Sequence, residues 1–393
     1  MAKTAVAVLF GGRSCEHEVS ILTAHEAMAV LRKMPQYEVL PVYITKGGRW
    51  LTGDALSHLN KFADARQLES ECMPLVLTPM AGNRTLATSV AWPRRSRQRA
   101  VDVALPLVHG PNGEDGTLQG TLEMLGLPYV GSGVLASSLC MNKVATKRLL
   151  ASSGLPQVPY AVTDGARWAR SRESELESIR SLGSGALFVK PVRGGSSIGI
   201  SLVQEPDALS SAIEFALQFD QEVVVETAVT EAEEVNCAVL RSGTEVTTSA
   251  LELVRAKDGF LSYDQKYMQW SKGSPTKGAE GHSIPAPLSD ATTRRIEALA
   301  KSAFETCMCD GVARVDFLVR GDEVFVNEIN TLPGSLAFYL WEASGLTFER
   351  LLDRLLESAL SSAASRRSLT YSLDRNLLAD IERRKGTKGR STP

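Results

Sequence analysis

Val312-Ala-Arg-Val-Asp-Phe317, then Val324-Phe-Val-Asn-Glu-Ile-Asn330, then Thr331-Leu-Pro-Gly334 is the stretch of this chain that decides its reading. Both halves are rich in Val, Ile and Phe with a period of two, which predicts two β-strands. Gly321-Asp322-Glu323 between them suits a tight hairpin turn. Residues two apart on a strand share a face, so Glu328 and Asn330 point the same way, and Asp316 on the neighbouring strand reaches that face. Two carboxylates and a carboxamide then converge as hard oxygen ligands, the set Mg²⁺ takes when it also holds substrate phosphates. The plain alternative is an edge hairpin whose acids are merely solvated. Val-Phe-Val just before Asn327 and Glu328 speaks against it, because hydrophobic strands rarely carry exposed carboxylates on both faces.

Length and composition set the frame. At 393 residues the chain is too long for one ordinary core, so two or three domains are expected. With 44% hydrophobic and 22% charged residues the composition is that of a globular protein. A net charge of −2 gives no global field toward nucleic acid or an anionic membrane, so neither is expected as a partner. No apolar run approaches the roughly 18 residues of a membrane span. The first ten residues lead straight into a strand and lack a cleavable signal pattern. Cysteines at 15, 72, 140, 237, 307 and 309 form no C-x-x-C pair, so neither a disulfide framework nor a zinc site is suggested. They read as small hydrophobic filler in a reducing compartment, and the expected location is the cytoplasm.

Along the chain, Thr4 to Phe10 is a buried strand ending in Gly11-Gly12. A helix follows the polar turn Arg13 to Glu18, with Ile21, Ala24, Met28 and Leu31 on one face. Tyr37 to Thr45 and Ala100 to Leu107 are the next strands. This alternation predicts an α/β fold with a parallel sheet in a first domain over 1–125. The segment Asn83 to Arg99, with arginines at 94, 95, 97 and 99, reads as a solvated loop or hairpin. A second α/β unit is expected over 126–225, with a helix at Asn142 to Ala151, a strand at Ala186 to Pro191 and an amphipathic helix at Pro206 to Phe219. A third is expected over 226–362, entered through the strand Glu222-Val-Val-Val-Glu226. Inside it Arg255 to Pro285 is a long polar connection, a length seen in lids or disordered segments. Residues 363–393 are polar and basic and read as a solvated tail.

Three glycine-rich turns carry chemistry. Lys190-Pro-Val-Arg-Gly-Gly-Ser-Ser-Ile-Gly199 puts a lysine at a strand end before a loop whose backbone N–H groups and hydroxyls suit an anion. It is neither a Walker A sequence nor a dinucleotide fingerprint. Beside a metal hairpin it becomes a phosphate cover; alone it is a flexible turn. Leu9-Phe-Gly-Gly-Arg-Ser-Cys-Glu-His-Glu-Val-Ser20 places two glycines where a strand feeds a helix, a position at which ligands bind. Glu16 and Glu18 there have helix capping as their simpler explanation. His109-Gly-Pro-Asn-Gly-Glu-Asp-Gly116 gathers His, Glu and Asp after another strand, either to bracket an ammonium group or as an ordinary turn. The five histidines show no metal-ligand spacing, and no G-x-S-x-G elbow supports serine hydrolysis.

Taken together these segments resemble D-alanine–D-alanine ligases, of the ATP-grasp superfamily. The matching stretches are Gly11 to Ser20, His109 to Gly120, Tyr129 to Ser137, Met141-Asn-Lys143, Lys190 to Gly199, Tyr263 to Tyr267, Ala313 to Phe317 and Asn327 to Gly334. They fall in the family's order and span roughly residues 5 to 360. The resemblance implies a three-domain ATP-grasp fold with ATP between the central and C-terminal domains. It implies that Lys143 and Lys190 hold ATP phosphates and that the loop with Ser196 and Ser197 closes over them. Glu226 to Val229 would read adenine, and Glu234 would bind the ribose. Asp316, Glu328 and Asn330 would bind two Mg²⁺, with Mn²⁺ able to replace them. Glu16 and His109 would line the first amino-acid pocket, and Tyr267 would reach across to Glu16 and Ser196.

The implied reaction joins two D-alanine molecules for peptidoglycan precursor synthesis. ATP phosphorylates the first carboxylate, the second amine attacks the acyl phosphate, and Arg314 and the backbone N–H of Gly334 stabilise the oxyanion. A homodimer is implied as well. Several positions depart from the family pattern. Asn142 stands for the usual Asp, Glu233-Glu234 for Arg-Glu, and Asn236 for a frequent Glu. After Gly334 the chain runs directly through Ser335-Leu-Ala-Phe-Tyr339, where most members have a few more residues, including a serine for the second substrate's carboxylate. Ser335 is the candidate replacement, and ligation of D-alanine to a different second substrate stays open. Lys266-Tyr267 favours dipeptide over depsipeptide formation, because relatives making D-alanyl-D-lactate tend to carry histidine there. Two other classes use less of the chain. A dinucleotide-binding oxidoreductase leaves Asp316, Glu328 and Asn330 unexplained. A nucleic-acid-binding protein would rest on Arg94 to Arg99 and the basic tail alone.

Overall fold

The computed structural model describes residues 2–77, 84–88, 98–255 and 281–367, together with 369–370, 376–377 and 381. The segment Met1–Leu360 forms one compact unit, built among the described residues on three sheets.

The first sheet has seven strands in the spatial order Gln98–Ala100, Thr85–Thr88, Met73–Val76, Trp50–Thr52, Tyr37–Ile44, Thr4–Gly11, Val103–Pro106. Thr4–Gly11 pairs in parallel with both its neighbours, and the remaining ladders are antiparallel. Its side chains alternate between two cores: Val6, Val8 and Phe10 enter one, Ala5, Ala7 and Leu9 the other. A strand buried on both faces must be apolar throughout, and this one is. The helix His17–Leu31 covers one face with Ala24, Ala27, Met28 and Leu31, all fully buried. The parallel sheet expected for this region is therefore parallel at its centre, with an antiparallel extension.

The strand expected over Ala100 to Leu107 is two strands, Gln98–Ala100 and Val103–Pro106. Asp102 breaks it: its backbone N–H donates to Ala5 O at 2.9 Å and its carboxylate accepts from Ala5 N at 2.8 Å. The chain there leaves the ladder with Thr85–Thr88 and joins the one with Thr4–Gly11. Thr85–Thr88 and Gln98–Ala100 pair antiparallel on either side of the arginine-rich segment; Arg94, Arg95 and Arg97 lie outside the described residues.

The second sheet is antiparallel, in the order Ser201–Val203, Leu187–Pro191, Glu222–Thr227, Tyr160–Asp164. Glu222–Thr227, read from the sequence as the entry to a third unit, is an interior strand of this sheet. One face packs Val189, Val223 and Val225 against Trp168 and Ile179 of helix Gly165–Arg180 and Ile213 of helix Leu209–Ala216. The helix expected over Pro206 to Phe219 is shorter than that. Pro206–Ala208 is a 3₁₀ turn, and the α-helix ends at Ala216. Proline lacks the N–H that a helix interior needs, so the α-helix proper starts beyond it.

The third sheet runs His282–Ser283, Glu252–Val254, Glu233–Ser242, Val312–Arg320, Glu323–Asn330, with Glu245–Thr248 beside Glu233–Ser242. Ala313, Val315, Phe317 and Val319 alternate into a core with Ile296, Ala300 and Phe304 of helix Asp290–Thr306. Arg314, Asp316 and Leu318 therefore stand on the opposite face. The predicted hairpin is present, and its ladder slips by one residue between Asp316 and Phe317. Residues 256–280 lie outside the described residues, and the ends of that segment are pinned. Glu252–Val254 pairs with His282–Ser283, and Arg255 N donates to Gly281 O at 2.7 Å. The helix Phe348–Arg367 runs past Ala363 into the stretch read as a tail.

Candidate active site

A cleft of about 340 Å³ opens between the second and third sheets. One wall carries Lys143, Lys190 and the loop Gly194 to Ser197; the other carries Glu234, Leu318, Asn327 and Glu328. Glu226 and Val229 line the connection between them.

Helix Lys143–Ser152 sets the first lysine. Asn142 is its N-cap, with its side chain accepting from Ala145 N at 2.9 Å. Asn and Asp cap about equally well, so the departure from the family's Asp at this position leaves the helix start intact. Lys143 Nζ donates to Gly194 O at 2.6 Å and so ties the glycine loop to the helix. Burial lowers its pKa, and Lys190 adds to that effect against the pull of Glu328 and Glu226.

Lys190 and Glu226 stand on adjacent strands, 2.6 Å apart at Nζ and Oε2. Lys147, one helical turn after Lys143, brings Nζ to 3.0 Å from Glu226 Oε1. That Nζ has no partner in hydrogen-bond geometry among the described residues, so the contact is chiefly one of charge. Burial alone would raise the Glu226 carboxyl, but Lys190 and then Lys147 overcome it and hold it at about 2. Sequence reading named Lys143, Lys190 and Glu226 and missed Lys147. Its signal was the i, i+4 spacing from Lys143, which puts both ammonium groups on one helix face.

The hairpin supplies the acidic wall. Asp316 pairs across the ladder with Glu328, and Arg314 with Asn330, so all four share the face turned from the core. Arg314 Nε and Nη2 donate to Asp316 Oδ1 and Oδ2 at 2.6 and 2.7 Å, and Asn330 Nδ2 donates to Oδ2 at 2.9 Å. Asp316 is 1% exposed. Burial pushes its carboxyl up to about 6; Arg314 opposes this, while Glu328 and Glu234 add to it. No group of three or more His, Cys, Asp or Glu among the described residues is arranged as a ready metal cluster. The set here is two carboxylates and an amide that gives its nitrogen to Asp316 and keeps its oxygen for another partner. Hard oxygens around a desolvated acid fit a divalent cation.

On the first sheet's side, Ser196 donates its hydroxyl to Glu16 Oε1. A Cβ on Gly110 would come within 2.6 Å of Glu16 Oε2, and one on Gly195 within 3.1 Å of the same carboxylate. A side chain at Gly110, whose φ is 76°, would be strained as well as crowded, and one at Gly195 would push Glu16 back by a few tenths of an ångström. His109 is 4% exposed, with Nε2 3.2 Å from Thr23 Oγ1 and Nδ1 3.5 Å from Glu114 Oε1. Burial works against its charge, but Glu114 and Glu16 raise its pKa overall.

The turn after Gly334 differs most from what the sequence suggested. Ser335, Leu336 and Ala337 all adopt left-handed backbone, with φ of 49°, 54° and 51°, conformations non-glycine residues avoid unless their surroundings impose them. Ser335 N donates to Thr23 Oγ1 at 3.3 Å and its hydroxyl donates to Glu26, so this turn docks on helix His17–Leu31. The Ser335 hydroxyl is thus engaged within the protein. Ser197 and Glu234 lie in the cleft wall. Tyr267 lies outside the described residues.

Comparison with known proteins agrees with this arrangement. The family described as D-ala D-ala ligase N-terminus matches residues 5–132, and D-ala D-ala ligase C-terminus matches residues 149–357. A D-alanine–D-alanine ligase B of Bradyrhizobium diazoefficiens is 40% identical over 376 residues, covering 94% of this chain and 96% of that protein. The structure of the D-alanine-D-alanine ligase from Coxiella burnetii superposes with a TM-score of 0.76 at 30% identity, covering 100% of both chains. That of VanG D-Ala:D-Ser ligase from Enterococcus faecalis gives 0.76 at 29% identity, covering 91% of this chain and 99% of that one.

Proposed function

This chain belongs to the D-alanine–D-alanine ligase family, and on that premise we propose that it joins two D-alanine molecules through an acyl phosphate driven by ATP. The observation that carries this reading is one cleft with two lysines on one wall and Glu328 on the other, with Asp316 directly across the ladder from Glu328. A carboxylate is a poor electrophile, and phosphorylation by ATP gives it a leaving group. Lys143 and Lys190 neutralise phosphate charge, with Ser197 among the donors of the covering loop. Glu226 and Val229 take the adenine edge and Glu234 the ribose. Glu16, held by Ser196, and the raised-pKa His109 bracket the first amino acid. Tyr267 is assigned to this end of the site by the family resemblance.

Asp316, Glu328 and Asn330 would hold two Mg²⁺, which when bound supply positive charge for the transferring phosphoryl group. Arg314 gives Nε and Nη2 to Asp316, and Nη1, which has no hydrogen bond among the described residues, would serve the oxyanion that forms when the second amine attacks, together with the N–H of Gly334. The dipeptide would serve peptidoglycan precursor synthesis in the cytoplasm, and the protein would act as a homodimer. No helix among the described residues is long and apolar enough to cross a membrane.

A second reading keeps the activation step and changes the second substrate. It is favoured by the Ser335 hydroxyl being given to Glu26, which leaves the expected carboxylate contact to another group. Both readings meet in one experiment: phosphate release with ATP, Mg²⁺ and D-alanine, with products identified by mass. Saturable release yielding D-alanyl-D-alanine supports the first. Release only after addition of D-serine, D-lactate or another acceptor supports the second.

A further inference from the structure

Four adjacent strands of the third sheet carry one polar side chain each at the same level. Glu252 pairs with Asn236, Asn236 with Asp316, and Asp316 with Glu328. Directly opposed residues stand on one face, so the row crosses the sheet on the side that bears the cleft. The proposed reaction gives work to Asp316 and Glu328 and none to Glu252. Yet Glu252 is 1% exposed and holds three partners. His282 Nδ1 lies 2.8 Å from Oε1, while the Tyr339 hydroxyl donates to Oε2 at 2.9 Å and Asn236 Nδ2 at 3.0 Å.

A carboxylate this deep stays ionised only where donors and opposite charge replace water. Burial pushes the Glu252 carboxyl up, and His282, Asn236 and Arg314 together bring it below the usual range. The relation with Arg314 is mutual. Burial disfavours the guanidinium charge, and Asp316, Tyr339 and Glu252 more than restore it. Asn236 is held by Glu252 at a sacrifice, because its Oδ1 is buried without a hydrogen-bond partner among the described residues. The amide between the two carboxylates is therefore fixed from the Glu252 side. Tyr339 comes from the helix Phe338–Ala343, directly after the left-handed turn, so Glu252 also anchors the element that follows Gly334.

We propose that Glu252 is a positioning residue for the ligation step. By gathering His282, Asn236 and Tyr339 on one carboxylate it fixes Asn236, the ladder neighbour of Asp316, whose carboxylate in turn holds Arg314. The inference rests on the reading of Arg314 as oxyanion donor.

The test is a set of double-mutant cycles on the full chain, reading kcat and the KM for ATP. Glu252→Gln is expected to lower kcat by roughly 10- to 100-fold, the range found when a supporting partner of a working group is lost, with the KM for ATP unchanged. Tyr339→Phe keeps the ring and removes one donor, with an expected loss of about fivefold. In an Arg314→Met background neither substitution should lower kcat further, because residues acting through one group are not additive. Losses that multiply in the double variants overturn the inference and leave the role of Arg314 standing. An Arg314→Met protein with the parent's kcat overturns both. Should Glu252→Gln fail to fold, the Tyr339→Phe cycle decides alone.

Discussion

Arg314 and Asp316, two residues apart on one strand, meet in a bidentate pair with nitrogen–oxygen distances of 2.6 and 2.7 Å. Neighbours at that spacing ordinarily point in parallel to one face. Here the longer side chain folds over the shorter and caps it, so Asp316 holds the guanidinium and lies directly across the ladder from Glu328. Asp316→Ala should lower phosphate release by at least about 100-fold, in line with loss of a metal-site partner, while the circular dichroism spectrum stays that of the parent. Activity near the parent level would remove Asp316 from the metal set.

Glu226 depends on two lysines, and one of them was not foreseen. Lys147 is 2% exposed. Lys147→Met would leave Glu226 buried with Lys190 as its remaining ion-pair partner among the described residues, at a cost of about 2–3 kcal/mol, somewhat below the full loss of a buried pair. Urea unfolding should show this as a lower midpoint with an unchanged slope. An unchanged midpoint would mean that Lys147 does not support Glu226.

The link between Glu16 and the glycine loop is a hydroxyl donating to a carboxylate. Such charge-assisted bonds contribute about 1.5–3 kcal/mol, so Ser196→Ala should raise the KM for the first D-alanine by about tenfold or more. Initial rates over a wide D-alanine range measure it. An unaltered KM would detach Ser196 from the amino-acid pocket.

His25 offers a test of stability against pH. Its Nε2 is buried without a hydrogen-bond partner among the described residues, and the ring packs edge-on against Phe62 at 5.5 Å. Burial lowers its pKa from 6.5 to about 4, with Arg32 and His58 adding to the effect. The folded state holds the ring neutral where the unfolded chain would already bind a proton. The stability it contributes is therefore full above pH 6.5 and is lost as pH falls from 6.5 toward 4. Allowing for partial exposure, the loss should be roughly 2 kcal/mol. His25→Phe should flatten the stability curve in that window, and parallel curves for the two proteins would contradict the assignment.

Much of this was legible because it is local. The period-two pattern placed Asp316, Glu328 and Asn330 on one face, and strand-end glycines marked the loops that close on Glu16. What stayed hidden depends on pairing between distant segments. The row from Glu252 to Glu328 joins strands whose register the sequence does not print. Glu222–Thr227 reads alike whether it opens one sheet or sits inside another. Ser335 looked available for a substrate carboxylate because nothing local to it reveals Glu26, which lies on a helix more than 300 positions earlier. The left-handed turn had no glycine to announce it, since packing against that helix imposes it.

The most direct test follows an oxygen atom. D-Alanine labelled with ¹⁸O in its carboxylate would be incubated with ATP, Mg²⁺ and the protein, and both phosphate and product analysed by mass. Ligation through an acyl phosphate passes one carboxylate oxygen to phosphate for each dipeptide formed, so singly labelled phosphate should appear in step with D-alanyl-D-alanine. Dipeptide accompanied by unlabelled phosphate, or labelled D-alanine recovered unchanged with no dipeptide, would contradict the account.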